Sequence, residues 1–280
     1  MPAAVRVTVR PDAVAVLTVD QPGSTVNVLA PALWAELEAA VDALAARTDL
    51  KGLVLASGKP GIFIAGADLN VLANATPNDP AVRAFVADGL RVLEKLEALP
   101  FPTCAAIDGA ALGGGLEVAL ACDYRVAGTH PKVRLGLPEV TLGLIPGWGG
   151  TQRLPRVVGP AAAGRMLVTG QSLTAAEAFD AGLTDLTPRE GLVDWAADQL
   201  AKTAFDRAAK RQPDPPPASF DPSRFGANTA ATGEAVRVMC EGIALPLADG
   251  IRLETEAFLR LAGSGESTRL IAAFFAARKK

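Results

Sequence analysis

The fold is decided by residues 107–123, which read Ile-Asp-Gly-Ala-Ala-Leu-Gly-Gly-Gly-Leu-Glu-Val-Ala-Leu-Ala-Cys-Asp. The apolar segment Thr103–Ile107 predicts a strand, and a helix pattern begins near Gly114. Glycine permits the positive φ angles of a tight turn and lets another group approach closely. The first N–H groups of a helix are unpaired and attract negative charge. Glu117 lies one turn into this helix, so we expect a carboxylate beside an anion-binding turn.

Strand and helix patterns alternate on both sides of this stretch. Residues 5–10 and 14–20 predict a hairpin. Pro31 and Asp79-Pro80 predict the starts of two amphipathic helices. The repeated order of strand, turn and helix predicts a layered α/β fold. Further short strands are predicted at 52–56, within 61–69, and at 124–127 and 134–136.

Helix patterns dominate the sequence after Pro146, and the proline-rich segment 212–222 predicts a linker. The apolar surface of the last helices must pack either on their own core or on a neighbouring subunit, and the sequence leaves both open. We therefore divide the chain into a core, residues 1–205, and a linker with a helical region, residues 206–280. These helices are predicted at 233–243, 251–261 and 267–277.

The composition of the 280-residue chain indicates an ordinary globular protein, with 50% hydrophobic and 20% charged residues. A formal net charge of −3 argues against nucleic acid as a partner. No apolar run reaches the roughly 18 residues of a transmembrane helix, so no membrane partner is expected. The first residues enter a strand pattern without the features of a signal peptide, so we expect a cytoplasmic protein.

Neither cysteine nor histidine forms a pattern typical of a metal or nucleophile site. Cys104, Cys122 and Cys240 are scattered without zinc or redox spacing. We therefore expect these cysteines to pack as small apolar side chains and to bind no metal. The single histidine, His130, lies in a polar turn, and the chain has no G-x-S-x-G motif. We expect a surface residue there and no Ser-His-Asp triad.

Four glycine-containing motifs remain, and each alone is a weak signal. They are Ala65-Gly66-Ala67-Asp68-Leu69, residues 112–117 (LGGGLE), residues 135–139 (LGLPE) and residues 145–154 (IPGWGGTQRL). Together, in this order, they resemble the crotonase family, the enoyl-CoA hydratase and isomerase superfamily. The resemblance covers roughly Val5 to Thr187. The local sequence is most similar to the hydratase part of bifunctional fatty-acid oxidation proteins.

The resemblance implies a crotonase-like spiral of repeated ββα units with a C-terminal helical region, assembled as a homotrimer or homohexamer. It implies an oxyanion hole formed by the backbone N–H groups of Ala67 and Gly114. Glu117 and Glu139 match the two catalytic carboxylates of the family. No metal and no cofactor are implied, because coenzyme A is part of the acyl-CoA thioester substrate.

Contacts with the acyl-CoA are also implied by the resemblance. Asn70 stands where the family often has a lysine for the phosphates, and Arg278, Lys279 and Lys280 are candidates to replace it. We expect Asp68 to cap a following helix rather than to react. The implied contact residues are Ala65, Gly66, Asp68, Leu69, Gly113, Pro138, Gly147 and Trp148, with Leu144 beside Trp148 at the acyl end.

The expected function is that of an enoyl-CoA hydratase, which converts trans-2-enoyl-CoA to 3-hydroxyacyl-CoA in fatty-acid β-oxidation. Glu139 would supply the α-proton, and Glu117 would hold and deprotonate the water. An alternative is Δ3-Δ2-enoyl-CoA isomerisation, which needs one carboxylate, or other acyl-CoA chemistry of the family. Alternatives of another class are an RNA-binding protein and an inactive assembly subunit.

Overall fold

The computed structural model describes residues 3–185, 189–202 and 228–277. The strands are β1 (Val5–Val9), β2 (Val14–Val19), β3 (Gly52–Ser57), β4 (Gly61–Ile64), β5 (Thr103–Ile107), β6 (Gly109–Leu112), β7 (Tyr124–Ala127), β8 (Arg134–Gly136) and β9 (Ser172–Leu173). The helices are α1 (Pro31–Ala45), α2 (Pro80–Glu97), α3 (Gly114–Ala121), α4 (Gly150–Val158), α5 (Pro160–Thr169), α6 (Ala175–Asp180), α7 (Leu192–Lys202), α8 (Ala230–Ile243), α9 (Leu247–Leu261) and α10 (Gly265–Ala277), with a 3₁₀ helix at Glu139–Leu142.

From β3 to β8, successive strands alternate between two sheets. The first sheet has the order β1-β2-β3-β5-β7 and the second the order β4-β6-β8-β9. The β1–β2 hairpin and the β8–β9 pair are antiparallel, and the other pairs are parallel. Each pair of strands from the two sheets is followed by helix: β3–β4 by α2, β5–β6 by α3, and β7–β8 by the 3₁₀ helix. The expected spiral of ββα units is therefore confirmed.

The predicted helix starts and apolar stripes are also present. Asp79 caps α2, since its side chain accepts a hydrogen bond from the N–H of Ala81, and Pro80 occupies the first turn. The sequence pattern predicts an inward-facing Leu90, which is partly buried and packs against the core, and Val92, which the pattern does not include, is fully buried. The other residues of the α2 stripe are buried as expected: Val82, Phe85, Val86, Leu93 and Leu96.

The C-terminal helices pack against the core of the same chain. Helix α8 contacts α4 and α5, α9 contacts α2 and α4, and α10 contacts the 3₁₀ helix. The backbone N–H of Asn78, just before α2, donates to the carbonyl of Leu259 near the end of α9. The sequence left open whether these helices pack on their own core, and the described ones do. The boundary after residue 205 and the predicted linker 212–222 lie outside the described residues. None of the described helices is long and apolar enough to cross a membrane.

One buried side chain ties the two sheets together. The amide nitrogen of Asn27 donates to the carbonyl of Val19 in β2, to the hydroxyl of Ser57 in β3 and to the carbonyl of Phe63 in β4. Its own backbone carbonyl accepts from the N–H of Ala65. Because Val19 and Ser57 belong to the first sheet and Phe63 to the second, Asn27 fixes where the segment after β4 leaves the core.

We predict that Asn27→Ala lowers the free energy of unfolding by about 2–4 kcal/mol, because it leaves buried carbonyl groups without a donor. Urea unfolding followed by circular dichroism measures the change. Ser24→Ala, which removes an exposed hydroxyl from the same loop, is the control and should cost less than roughly 1 kcal/mol. Equal losses in the two variants would contradict the role of Asn27 as a link between the sheets.

Candidate active site

The turn between β6 and α3 is built on glycine. Gly113 has φ of 53° and ψ of −126°, a conformation that residues with a Cβ rarely adopt. Its N–H donates to the carbonyl of Gly136 at the end of β8, at 2.8 Å, and its carbonyl accepts from Leu116 and Glu117. A Cβ on Gly115 would lie 2.1 Å from the carbonyl oxygen of Ile64. The start of α3 is therefore held between the ends of β4 and β8.

The two predicted oxyanion-hole residues lie at the edge of one cavity. Leu29 forms an isolated parallel bridge with Ala67. This bridge uses the carbonyl of Gly66 and the N–H of Asp68, which leaves the N–H of Ala67 outside its hydrogen bonds. Gly114 is the first residue of α3, so its N–H precedes the intrahelical hydrogen bonds. Both residues line the same cavity, as two donors for one anion would require.

Glu117 is a buried carboxylate held by backbone donors. Its side chain projects from the first turn of α3 and is 1% exposed. One oxygen, Oε1, accepts from the N–H of Trp148 at 2.7 Å and from the N–H of Gly150 at 2.8 Å. Burial raises the pKa of Glu117 to about 7, although these two N–H groups and the Arg153 charge oppose the rise. Glu117 can therefore gain or lose a proton near neutral pH.

Glu139 is a second carboxyl in a different environment. It opens the 3₁₀ helix after Pro138, and its Oε1 lies against Gly113, where a Cβ would approach it to 2.6 Å. Its other oxygen, Oε2, is buried without a hydrogen-bond partner. Burial, and then the charge of Glu117, raise the pKa of Glu139 well above its ordinary value. When one proton is shared by the pair, the hydrogen bonds favour the charge on Glu117 and the proton on Glu139.

Trp148 forms a fixed wall of the cavity. Its indole N–H donates to the carbonyl of Val86, and its ring makes edge contacts with Trp34 and Phe85 at centroid distances of 5.1 and 5.2 Å. The ring packs so closely on Gly114 that a Cβ there would lie 2.5 Å from it. Trp148 is therefore buried in the core and also lines the cavity.

The structure brings the predicted catalytic, oxyanion-hole and acyl-CoA contact residues of the four motifs to one cavity of about 360 Å³. Its lining includes both glutamates and both oxyanion-hole residues. Arg153 supports the site from behind: it donates to the carbonyl of Trp148 and pairs through two nitrogens with Glu97. The other predicted residues that line the cavity are Ala65, Gly66, Asp68, Leu69, Gly113, Pro138, Gly147, Trp148 and Leu144.

The expected helix cap at Asp68 is wrong. Residues after Asp68 form turns rather than a helix, and its carboxylate accepts from the backbone N–H and the side-chain amide of Asn70. The Asp-Leu-Asn sequence supplies a short side chain that closes a local turn, a common alternative to a helix start. Asp68 and Asn70 still line the cavity.

Sequence reasoning missed the residues that reach the cavity from distant segments. Val26 and Val28 come from the loop before α1, and Phe258, Phe274 and Phe275 from the last two helices. Their apolar character predicts burial but not the cavity. No lysine, arginine or histidine is among the described residues that line it. The candidates Arg278, Lys279 and Lys280 for the coenzyme A phosphates lie outside the described residues.

Comparison with known proteins now identifies the family. A family model described as enoyl-CoA hydratase/isomerase matches residues 10–212. The chain belongs to this family, the crotonase superfamily. The structure of Pseudomonas aeruginosa DspI is 31% identical, with 75% of this chain and 84% of that chain covered and a TM-score of 0.66.

Two further crotonase structures align over nearly the whole chain. An enoyl-CoA hydratase from Bacillus anthracis is 29% identical, with 98% of this chain and 97% of that chain covered and a TM-score of 0.66. The human mitochondrial delta3-delta2-enoyl-CoA isomerase is 24% identical, with coverage of 99% and 98% and a TM-score of 0.75, and this likeness shows the fold alone.

The buried charge of Glu117 predicts a pH-dependent gain in stability for Glu117→Gln. A carboxyl whose pKa is raised from 4.5 to about 7 on folding binds more protons in the folded state, so its contribution to stability falls as pH rises through this window. The amide of the variant would keep an oxygen for both N–H groups but would carry no charge. We expect the Tm of the variant to exceed that of the wild type at pH 8, and the difference to shrink towards pH 5.

Differential scanning calorimetry between pH 5 and pH 8 measures this difference. Glu94→Gln, at an exposed position of α2, is the control and should show no such pH-dependent gain. A Tm difference for Glu117→Gln that is constant over this range, or largest at pH 5, would show that burial of the charged Glu117 side chain does not destabilise the fold.

Proposed function

We propose that this protein is an enoyl-CoA hydratase, which adds water across the conjugated double bond of a trans-2-enoyl-CoA to give a 3-hydroxyacyl-CoA. The observation that carries the proposal is the pair of carboxyls, Glu117 and Glu139, in one apolar cavity. Their environments differ in a way that suits a base and an acid. Family membership and the neighbours named as hydratases support the same substrate class.

The first requirement of the reaction is to stabilise an enolate. Attack of water on the β-carbon moves negative charge onto the thioester oxygen. In this proposal, the backbone N–H groups of Ala67 and Gly114 bind that oxygen, and the start of α3 behind Gly114 favours the same charge. A preorganised donor of this kind contributes about 3–4 kcal/mol to the stability of the transition state.

The second requirement is to move two protons. Ionised Glu117 takes one proton from the water as its oxygen bonds to the β-carbon. Protonated Glu139 gives its proton to the α-carbon as the enolate collapses. The product gains the hydroxyl group of the water and the proton of Glu139, which together equal one water molecule, so the reaction needs no oxidant or reductant. The cycle closes when the proton returns from Glu117 to Glu139, two groups close enough for the charge of one to raise the pKa of the other.

The resemblance also predicts the setting of the reaction. The chemistry is redox-neutral, and the proposal includes no cofactor and no metal, with coenzyme A as part of the substrate. A trimeric or hexameric assembly and a place in fatty-acid β-oxidation remain predictions.

We predict that Glu117→Gln and Glu139→Gln each lower kcat by about 10²-fold or more, because each removes one proton-transfer group. Loss of the conjugated-thioester absorbance with crotonyl-CoA and longer trans-2-enoyl-CoAs measures turnover. Glu94→Gln is again the matched control and should retain wild-type rates.

The outcomes of this assay separate the alternatives. No turnover by the wild type at any chain length would refute the hydratase proposal. Turnover of 3-enoyl-CoA to 2-enoyl-CoA, lost only in Glu139→Gln, would instead indicate the isomerase reaction. Salt-dependent RNA binding by an inactive wild type would indicate the non-enzymatic alternative.

The two pKa shifts also predict a bell-shaped dependence of kcat/KM on pH. The base must be ionised, so the acid limb should fall as pH drops below about 7, the raised pKa of Glu117. The acid must be protonated, so the alkaline limb should reflect the raised pKa of Glu139. Initial rates from about pH 5 to pH 10 measure both limbs. An acid limb near pH 4.5, the ordinary pKa of a glutamate, would contradict the assignment of Glu117 as a buried base.

A further inference from the structure

A third buried glutamate adjoins the candidate site and has no part in the mechanism above. Glu254 lies on α9, far along the chain from Glu117, and its exposure is 0%. A carboxyl taken fully out of water needs donors to compensate it. The segment that carries the start of α4 supplies them.

Both oxygens of Glu254 accept from this segment. Oε1 accepts from the backbone N–H of Gly149. Oε2 accepts from the N–H of Thr151 at 2.7 Å and from its hydroxyl at 2.6 Å. The side-chain amide of Gln152 donates to the same hydroxyl, so the hydroxyl hydrogen is free to point at Glu254. Three donors therefore converge on one carboxylate.

The donors of this segment alternate between two glutamates. The N–H groups of Trp148 and Gly150 bind Glu117, whereas those of Gly149 and Thr151 bind Glu254. Four consecutive N–H groups are thus shared by two buried carboxylates at one helix start, where the helix dipole favours negative charge. Displacing either carboxylate would change the backbone conformation of residues 148–151, and with it the positions of the N–H groups that bind the other carboxylate.

We propose that Glu254 is a positioning residue, which holds the 148–151 segment in the path that presents the N–H groups of Trp148 and Gly150 to Glu117. The consequence for catalysis rests on the function proposed above. Through Glu254, the C-terminal helical region determines the placement of the carboxylate that would activate water.

The charged groups around Glu254 also couple it to the site. Glu117 faces it from α3, Glu139 from the 3₁₀ helix and Arg153 from α4. Burial, and then the charge of Glu117, raise the pKa of Glu254 to about 8. Other described charges on α9 and the elements packed against it belong to ion pairs: Glu97 with Arg153, Glu256 with Arg83 on α2, Asp249 with Arg252 on α9 itself, and Arg260 with Glu234 on α8, which also pairs with Arg237.

The test is Glu254→Gln, which keeps the size of the side chain but replaces one acceptor oxygen by an NH₂ group that must face an N–H. We expect kcat to fall about 10-fold or more while KM changes by less than about 2-fold, because substrate contacts are untouched. The charge of Glu254 raises the pKa of Glu139, so its loss should also move the alkaline limb of the kcat/KM profile to lower pH.

The matched control is Glu234→Gln. It weakens the pairs of Glu234 with Arg237 in α8 and with Arg260 in α9 without touching the 148–151 segment, so its kcat and pH profile should remain those of the wild type. If Glu254→Gln does not fold, Thr151→Val provides the same test. It removes one donor to Glu254, and its kcat should fall several-fold at constant KM.

A crystal structure of the Glu254→Gln variant tests the positioning independently of activity. We expect the distance between the N–H nitrogen of Trp148 and Oε1 of Glu117 to lengthen from 2.7 Å beyond hydrogen-bond reach. A lower Tm with an unshifted pH profile and an intact Trp148–Glu117 hydrogen bond would overturn the proposal and leave Glu254 a stability role. If the wild type itself shows no turnover, the proposed hydratase function fails, and the crystal structure alone decides the positioning role.

Discussion

The site depends on the need to compensate buried carboxylates with hydrogen-bond donors. Removing a charged group from water costs more than a folded domain can tolerate unless donors replace the water. The start of α4 meets this need because the first N–H groups of a helix have no partner within it. Two glutamates from distant segments occupy these groups. The helix start, and not either glutamate alone, therefore determines where the acid–base chemistry can lie.

The glycines of the motifs are required by the close packing of side chains around the cavity. Gly114 leaves room for the indole of Trp148, and Gly113 leaves room for the carboxyl of Glu139. A side chain at either position would displace a wall of the cavity or its second carboxyl. Gly149, with φ of 93°, allows the segment to turn so that alternate N–H groups face opposite sides. The chain tolerates these flexible residues because the surrounding contacts fix each of them.

The sequence predicted those features that depend on local patterns or on the family motifs. The ββα order and the convergence of Ala67, Gly114, Glu117 and Glu139 on one cavity were predictable, since each belongs to a motif at the end of a strand. Glu254 was not, because a single glutamate within an amphipathic helix normally faces solvent and only tertiary packing buries it. The cap predicted at Asp68 failed because a local turn satisfied its carboxylate before a helix could begin. The catalytic roles themselves remain a proposal.

The aromatic residues that α9 and α10 add to the cavity have a consequence for biosynthesis. A ribosome makes the ββα units first, and the three phenylalanines that α9 and α10 contribute emerge after them. Until then, the growing chain lacks both a closed pocket and the partner of the α4 start. A ligand that binds the completed cavity stabilises the folded state by mass action. Substrate would thus favour the fully folded protein over partly folded chains, which expose an apolar cleft and can aggregate.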